Sequence, residues 1–168
     1  MPQLDRTPQA RFITRLAAVL PLPIMQPVLD RIVRRIAASH SEIFDRLGSY
    51  RYSTYVIDTE DLPFALVLSP DPDQPKLRAV KRKDLPPHDA RITGTFLSLF
   101  KLIDTGEDGD ALFFSRTLLI SGDTEAVVRL RNALDDVDGS IAADAAGLFG
   151  LTGRFVLSRL RHSTAPSL

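Results

Sequence analysis

The chain of 168 residues is 44% hydrophobic and 25% charged, contains no cysteine, and balances 21 basic residues against 21 acidic ones. That length suits a single domain with a sizeable core, and the absence of cysteine excludes disulfides, thiolate metal ligands and a cysteine nucleophile. No stretch reaches the roughly 18 uninterrupted apolar residues of a membrane-spanning helix, and the N-terminus does not have the pattern of a secretory signal, so we expect a cytoplasmic protein.

Charge is unevenly distributed along the chain. Residues 1–40 carry six Arg against two Asp, and residues 140–168 carry three Arg against one Asp. Residues 41–139 carry twelve Lys or Arg against eighteen Asp or Glu. We therefore expect an anionic partner to meet the ends of the chain rather than its middle.

Residues 1–38 predict an amphipathic helical extension made of two helices. In RFITRLAAVL the apolar residues of one stripe are Phe12, Ile13, Leu16, Val19 and Leu20. In MQPVLDRIVRRIAA they are Val28, Leu29, Ile32, Val33 and Ile36. Pro21, Pro23 and Pro27 in PLPIMQP are expected to break or kink the helices at this point.

Three arginines, Arg31, Arg34 and Arg35, lie toward the other side of the second predicted helix. An apolar stripe beside an Arg-rich face can bind in a membrane interface. The residues expected to make that contact are Phe12, Leu16, Leu20, Arg31, Arg34 and Arg35. The alternative is that the stripe packs on the protein's own core, and the pattern alone leaves both open.

The segment from residue 41 to residue 94 predicts a short helix followed by four strands. SEIFDRLG is the helix, with Gly48 at its C-terminal end. Four short runs typical of strands follow: YRYSTYVID, PFALVLS, KLRAVKRK and ARITGT. Prolines fall between these runs or at their ends, where a sheet tolerates them. We expect the four strands to form a meander.

After Gly94 the apolar period changes from that of a strand to that of a helix. TFLSLFKLI predicts a helix, RTLLIS a fifth strand, and Gly122-Asp123 a junction at which Asp123 caps the next helix. A last helix spans about residues 143–161, and residues 162–168 are expected to be a disordered tail. The predicted architecture is α+β: a mainly antiparallel five-stranded sheet covered by helices on one side, preceded by the helical extension.

No set of residues predicts catalysis, a metal site or a bound cofactor. The three histidines, His40, His88 and His162, are too scattered to share a metal ion, and DTGEDGD lacks two of the acidic ligands that a calcium loop requires. The basic segment KLRAVKRK has no interleaved aromatic residues, and the domain as a whole is not basic. We therefore expect no nucleic-acid partner and interpret that segment as a solvated strand face.

The stronger signal is apolar. FLSLFKLI and ALFF supply Phe96, Phe100, Phe113 and Phe114 from two short helical segments that would lie over the sheet. Such segments form either a filled core or the wall of a cavity for an apolar ligand, and ligand pockets are mostly apolar. Composition does not distinguish the two.

The order of segments between about residues 40 and 138 resembles the sterol-carrier-protein-two family of lipid-binding domains. The likeness rests on the strands together with ARITGTFLSLFKLI, GDALFF and RTLLISGDTEAVVRLRNALDD, in which a strand ends in Gly-Asp at the start of a helix. With VLPLPIMQPVLDRIVRRI added, the chain is similar to a bacterial branch of that family that assists ubiquinone biosynthesis in its oxygen-independent route.

The resemblance implies a non-catalytic lipid-binding domain at residues 39–161, with no cofactor. Its hydrophobic cavity would hold isoprenoid quinone precursors or phospholipid for other ubiquinone-biosynthesis proteins, with peripheral contact to the inner face of the cytoplasmic membrane. The residues expected to line the cavity are Phe96, Leu99, Phe100, Ile103, Leu112, Phe113, Leu118 and Ile120. Two alternatives stay open: a ligand-free structural module of a multiprotein assembly, and an enzyme that acts on acyl chains.

Overall fold

The computed structural model describes residues 21–103, 118–135 and 141–147 and positions 150, 154, 155 and 158. Helices and strands alternate irregularly along these residues. The helices are α1 (Leu22–Ser39), α2 (Glu42–Leu47), α3 (Phe96–Ile103), α4 (Thr124–Asp135) and α5 (Ile141–Gly147). The strands are β1 (Tyr55–Thr59), β2 (Ala65–Ser69), β3 (Lys76–Val80), β4 (Ala90–Gly94) and β5 (Leu119–Gly122). The short helix after residue 41, the five strands, the helix of TFLSLFKLI and the helix capped by Asp123 are therefore present, while the helical segment predicted at ALFF lies outside the described residues.

The five strands form one sheet in the order β3-β2-β1-β4-β5. β1 and β4 are parallel, while the other neighbouring pairs are antiparallel. The predicted α+β class and mainly antiparallel five-stranded sheet are confirmed. The predicted meander is wrong, because β4 pairs with β1 in the middle of the sheet instead of adding to β3 at its edge.

The segment from residue 81 to residue 89 makes this rearrangement possible by crossing one face of the sheet. On that face Val56, Ala65 and Val67 are buried in a small apolar cluster, and Leu85 of the crossing segment packs against it. Because the crossing segment buries this second apolar face, the crossing is favoured relative to a tight turn that would place β4 beside β3. A local sequence pattern does not contain that information.

A buried carboxylate fastens the crossing segment to the sheet. Asp58 of β1 is 4% exposed, and its Oδ1 accepts a hydrogen bond of 2.7 Å from Nε of Arg82 in the crossing segment. Its Oδ2 accepts from Arg91 of β4, and Arg82 also donates to the carbonyl of Thr59. Burial by itself would raise the pKa of the Asp58 carboxyl, but the hydrogen bonds and charges of Arg91 and Arg82 outweigh burial and hold that pKa below its usual range.

Helix α1 starts earlier than predicted and contains two of the prolines that were expected to interrupt it. Pro21 is the N-cap and Pro23 lies in the first turn, where the missing N–H has no helical acceptor in any case. Pro27 lies inside the helix and removes one internal hydrogen bond without ending it. The helix predicted at residues 11–20 lies outside the described residues.

The inner side of α1 packs against the edge strand β3. Nε2 of Gln26 donates a hydrogen bond of 3.0 Å to the carbonyl of Leu77, so the helix satisfies a backbone acceptor at the open edge of the sheet. Val33 is buried on this side. Val28, which was predicted to belong to the same stripe, is instead 39% exposed.

The junction between β5 and α4 matches its prediction. Gly122 has a φ of +81°, which favours glycine, and a Cβ atom at this position would lie 2.3 Å from the carbonyl oxygen of Asp89. The next residue donates its N–H to that same oxygen at 2.8 Å. Oδ1 of Asp123 then accepts from the N–H of Ala126 at 3.1 Å and caps the helix.

The main core lies between the sheet and helices α2, α4 and α5. Its buried members include residues of all these elements: Ile43, Leu47, Tyr55, Ala90, Ile92, Leu99, Ala126, Val127, Leu130, Ala133 and Ile141. The stripe predicted for α4 is thus buried or half-buried as far as Leu134, and Val137 lies outside the described residues.

Replacement of Gly122 by alanine should destabilise the protein strongly. The added Cβ would collide with the carbonyl oxygen of Asp89, and the alanine backbone would have to keep a left-handed conformation, so we expect a loss of at least about 2 kcal/mol in the free energy of unfolding. Urea denaturation followed by circular dichroism measures this loss. Gly147→Ala is the control, because a Cβ there meets nothing within 4 Å; equal stability of the two variants would contradict the packing described for Gly122.

Asp58→Asn should lower the free energy of unfolding by about 1–3 kcal/mol at neutral pH, because both arginines would face a neutral amide. Since folding lowers the pKa of Asp58, its contribution is present above about pH 4 and is lost as the pH falls below that value. The difference between wild type and variant should therefore shrink in acid. Urea titrations at several pH values test this, with the exposed Asp73→Asn as control; a difference that does not change with pH would contradict it.

Candidate functional site

An apolar cavity of about 270 Å³ lies between the sheet and the helices. The strands contribute one wall from alternate positions that share a face of the sheet: Ile57, Leu66, Leu68, Leu77 and Ile92. Its volume is close to the lower end of the range typical of ligand pockets. The described residues around it leave this volume unfilled.

Helix α3 forms a second wall with Phe96, Leu99 and Phe100. The Phe96 and Phe100 rings stack with their centroids 6.3 Å apart, as residues one helical turn apart can do. The start of the helix is fixed by two caps: the N–H of Phe96 donates to Oδ1 of Asp61 at 2.8 Å, and the N–H of Ser98 donates to Oγ1 of Thr95 at 3.2 Å. These caps hold both rings toward the cavity.

Helix α1 forms a third wall with Ile32, Val33, Ile36 and Ala37. These residues are spaced as one side of a helix, and α1 also contacts α5, which contributes Ile141 and Ala145. The segment that was predicted as an extension therefore supplies part of the wall. Of the apolar stripe predicted for this helix, Ile32, Val33 and Ile36 line the cavity, while Val28 is exposed.

Only two of the described side chains around the cavity carry polar groups, and both have partners. The hydroxyl of Thr59 donates to the carbonyl of Phe64 at 3.1 Å. Nη2 of Arg131 lies 2.9 Å from Oδ2 of Asp135 in an ion pair along α4. Such a wall can exclude water and solvate a hydrocarbon, but it offers no acid–base pair for chemistry.

Tyr55 fixes the side of α4 that faces the sheet. The ring is fully buried, and the hydroxyl lies 3.1 Å from the carbonyl of Tyr50 and 3.4 Å from the carbonyl of Ala126 in the first turn of α4. Burial, with smaller contributions from Asp123 and Asp89, raises the pKa of Tyr55 to about 12. The hydroxyl is therefore a neutral donor at physiological pH and ties β1 to α4.

The structure brings some of the predicted lining residues together. Phe96, Leu99 and Phe100 lie on the cavity wall. Leu118 and Ile120 are half-buried against the neighbouring core instead. Leu112 and Phe113, with the side chain of Ile103, lie outside the described residues.

Among the predicted membrane contacts, Arg31, Arg34 and Arg35 are exposed on α1. Phe12, Leu16 and Leu20 lie outside the described residues. The contact of these residues with a membrane stays a prediction.

Outside α3, sequence reasoning named none of the described wall residues as lining the cavity. In β2, Leu66 and Leu68 face the cavity while Ala65 and Val67 face the crossing segment, so both faces are apolar and alternation gives no signal. For α1, the spacing of Ile32 and Ile36 indicated a buried side but not what it would face.

Within the part of the chain that is described, no helix has the length and hydrophobicity needed to cross a bilayer. The same residues include no group of three or more potential metal ligands from His, Cys, Asp or Glu.

Comparison with known proteins connects this cavity to a family. The family model described as "SCP-2 sterol transfer family" matches residues 29–135, which is more than half of the chain. These residues include α1 from Leu29 onward and all five strands. No sequence among the curated proteins matches significantly.

Solved structures give weaker likenesses. A protein described as "UbiJ-SCP2 Ubiquinone synthesis protein" aligns with a TM-score of 0.48 at 18% identity, over 68% of this chain and 88% of its own. The sterol carrier protein domain 2 of Helicoverpa armigera gives 0.47 at 11% identity, over 68% and 91%. Sterol carrier protein 2 from Yarrowia lipolytica, in its apo form, gives 0.44 at 9%, over 69% and 93%. At TM-scores below 0.5 these likenesses carry no functional argument.

Tyr55→Phe should lower the free energy of unfolding by about 1–2 kcal/mol at pH 8, because it removes a buried hydrogen-bond donor from two carbonyls. Since folding raises the pKa of Tyr55, its contribution is present below about pH 10 and is lost as the pH rises toward 12. Urea denaturation at pH 8 and at about pH 11 should show a smaller difference between the proteins at the higher pH. Tyr52→Phe, at a ring that is 61% exposed, is the control.

Proposed function

Because the chain belongs to the SCP-2 sterol transfer family, we propose that it is a non-catalytic lipid-binding accessory factor that holds polyprenyl quinone precursors for the enzymes of ubiquinone biosynthesis. The observation that carries this proposal is the apolar cavity of about 270 Å³ that the described residues leave unfilled between the sheet and helices α1, α3 and α4.

The chemistry of the wall supports a hydrocarbon ligand. Each buried methylene group contributes roughly 0.8 kcal/mol to binding, so a long chain binds without a conspicuous polar site. Leu66 of the sheet, Phe100 of α3 and Ile36 of α1 can contact a flexible, methyl-branched chain from three directions. Among the described wall residues the one charged group, Arg131, is paired with Asp135, so these residues leave the cavity close to neutral.

The choice of an isoprenoid quinone precursor over phospholipid rests on sequence resemblance. The N-terminal segment VLPLPIMQPVLDRIVRRI is similar to that of the ubiquinone-pathway branch of the family. In this proposal residues 39–161 form the lipid-binding domain and residues 1–38 form the extension, whose helix α1 supplies part of the wall. Other proteins of the pathway receive the bound precursor at the inner face of the cytoplasmic membrane.

The alternative of a ligand-free structural module requires a filled core. An unfilled apolar space deprives its lining atoms of contacts, so a protein with no ligand gains nothing from keeping one. The cavity therefore favours the carrier over the module. The alternative of an acyl-chain enzyme gains no support from the described wall, whose Thr59 and Arg131 are engaged with other groups of the protein.

Ala37→Phe should displace the ligand, because its ring would enter the cavity from α1. The neighbouring residue Ala38 is exposed, so Ala38→Phe places the same ring on the same helix in solvent and serves as the matched control. Organic extraction of gently purified protein, followed by mass spectrometry, measures the bound lipid per protein. We expect at least about a tenfold loss for Ala37→Phe and no loss for Ala38→Phe.

Circular dichroism and urea denaturation establish that both variants are folded. Recovery of no prenylated quinone precursor and no phospholipid from the wild-type protein would overturn the carrier. Recovery of phospholipid alone would retain lipid binding and overturn its assignment to quinone precursors. Equal lipid content in the two folded variants would show that the ligand binds elsewhere.

A further inference from the structure

An ion pair of α4 reaches the wall of the cavity. The Arg131 side chain lines the cavity, and its Nη2 lies 2.9 Å from Oδ2 of Asp135, one helical turn further along. Only 15% of the Arg131 side chain and 34% of the Asp135 side chain are exposed. Charges with so little exposure are screened less by water and salt than surface charges are, so both act on a group that enters the cavity.

A second ion pair on the same helix lies in solvent. Nε of Arg129 is 2.9 Å from Oε1 of Glu125, and the two side chains are 54% and 55% exposed. Its acidic residue precedes its basic residue, which is the order that stabilises a helix better. The pair at the cavity has the reverse order, so helix stability accounts for it less well than for the exposed pair.

The surroundings of Arg131 on the cavity side are apolar. An arginine on such a wall attracts a lipid whose carboxylate enters the cavity, because the hydrocarbon around that carboxylate cannot solvate it. The negative charge of Asp135 opposes this attraction from hydrogen-bonding distance, in addition to any other contact that Arg131 makes. The wall residues within one turn of Arg131 on α4 are Val127, Leu130 and Leu134.

We propose that Asp135 determines the charge class of the ligand. By neutralising Arg131, it lowers the affinity of the cavity for lipids whose anionic group enters it, such as fatty acids, and leaves uncharged lipids preferred. This inference rests on the proposed function, since it takes the cavity to bind a hydrocarbon chain. It adds that an acidic residue beside the wall selects among lipids with the same chain.

Competition between oleic acid and oleyl alcohol tests the proposal, because the two lipids share one hydrocarbon chain and differ in whether the end group is a carboxyl or a hydroxyl. The full-length protein is incubated at about pH 8, where the acid is ionised, with an equimolar mixture of both. Gel filtration removes free lipid, and organic extraction with mass spectrometry gives the ratio of bound acid to bound alcohol. Wild type should bind more alcohol than acid.

Asp135→Asn should raise the ratio of acid to alcohol at least about tenfold, because it removes a negative charge beside the wall. Asp135→Ala removes the same charge with a strong helix former and should give the same rise. Glu125→Gln is the matched control, since it removes one negative charge from the exposed pair on the same helix, and its ratio should not change. The double variant R131Q/D135N also removes the cation and should restore the wild-type ratio.

Circular dichroism identifies the folded variants. An unchanged ratio in the Asp135 variants would overturn the proposal, as would an equal rise in Glu125→Gln or a rise that persists in the double variant. In each of these cases the cavity still binds lipid, so the proposed function stands and only the role of Asp135 is lost. Recovery of no lipid from wild type, either added or retained from purification, would overturn the proposed function and this inference together.

Discussion

The cavity exists because two helices are fixed at different places on one sheet. At the edge strand β3, the Gln26 side chain of α1 bonds to the carbonyl of Leu77. On the other half of the sheet, α4 is held through the Asp89 carbonyl and the Tyr55 hydroxyl. Neither helix can move over β1 and β2 to close the space without breaking these hydrogen bonds. The central strands therefore keep an apolar surface that the described residues of α1 and α4 do not fully cover.

Such a space is unfavourable in the ligand-free protein, since atoms around it have no contacts on one side. The closely packed core around Tyr55, Ala126 and Val127, all at most 1% exposed, offsets this loss. A ligand that fills the space restores the missing contacts and stabilises the folded state in proportion to its concentration and affinity. Stability and ligand content are thus coupled in this fold.

Local patterns were enough to predict the described helices and strands between residues 41 and 135, but not the pairing of the strands. The junction at Gly122 and Asp123 is a local device, in which one residue turns the chain and the next caps a helix, and it was predicted from those two residues. The parallel pairing of β1 with β4 is not local, because it depends on Leu85 covering a second apolar face and on Asp58 meeting two arginines. Arg82, which belongs to a stretch interpreted as a solvated strand face, is a partner of that buried carboxylate.

The candidate site was predicted only in part, because local patterns again identified some residues but not the contacts that they make. Phe96, Leu99 and Phe100 stood out because they are concentrated on one short helix. The contribution of α1 could not be read from its sequence, because an amphipathic stripe has the same spacing whether it faces a sheet, a cavity or a bilayer. Three-dimensional contacts decided that Ile32 and Ile36 face inward and that Val28 faces outward.

The contact between Gln26 and Leu77 has a consequence for the solubility of the fold. A sheet edge with unpaired backbone groups is a template for a strand from another molecule. While α1 stays in place, it contacts the outermost strand on that side and occupies the carbonyl of Leu77, which reduces the backbone surface open to such a neighbour. If α1 detached from the sheet, the backbone groups of the outermost strand would be open to pairing with another molecule. The helix therefore also limits aggregation of the protein.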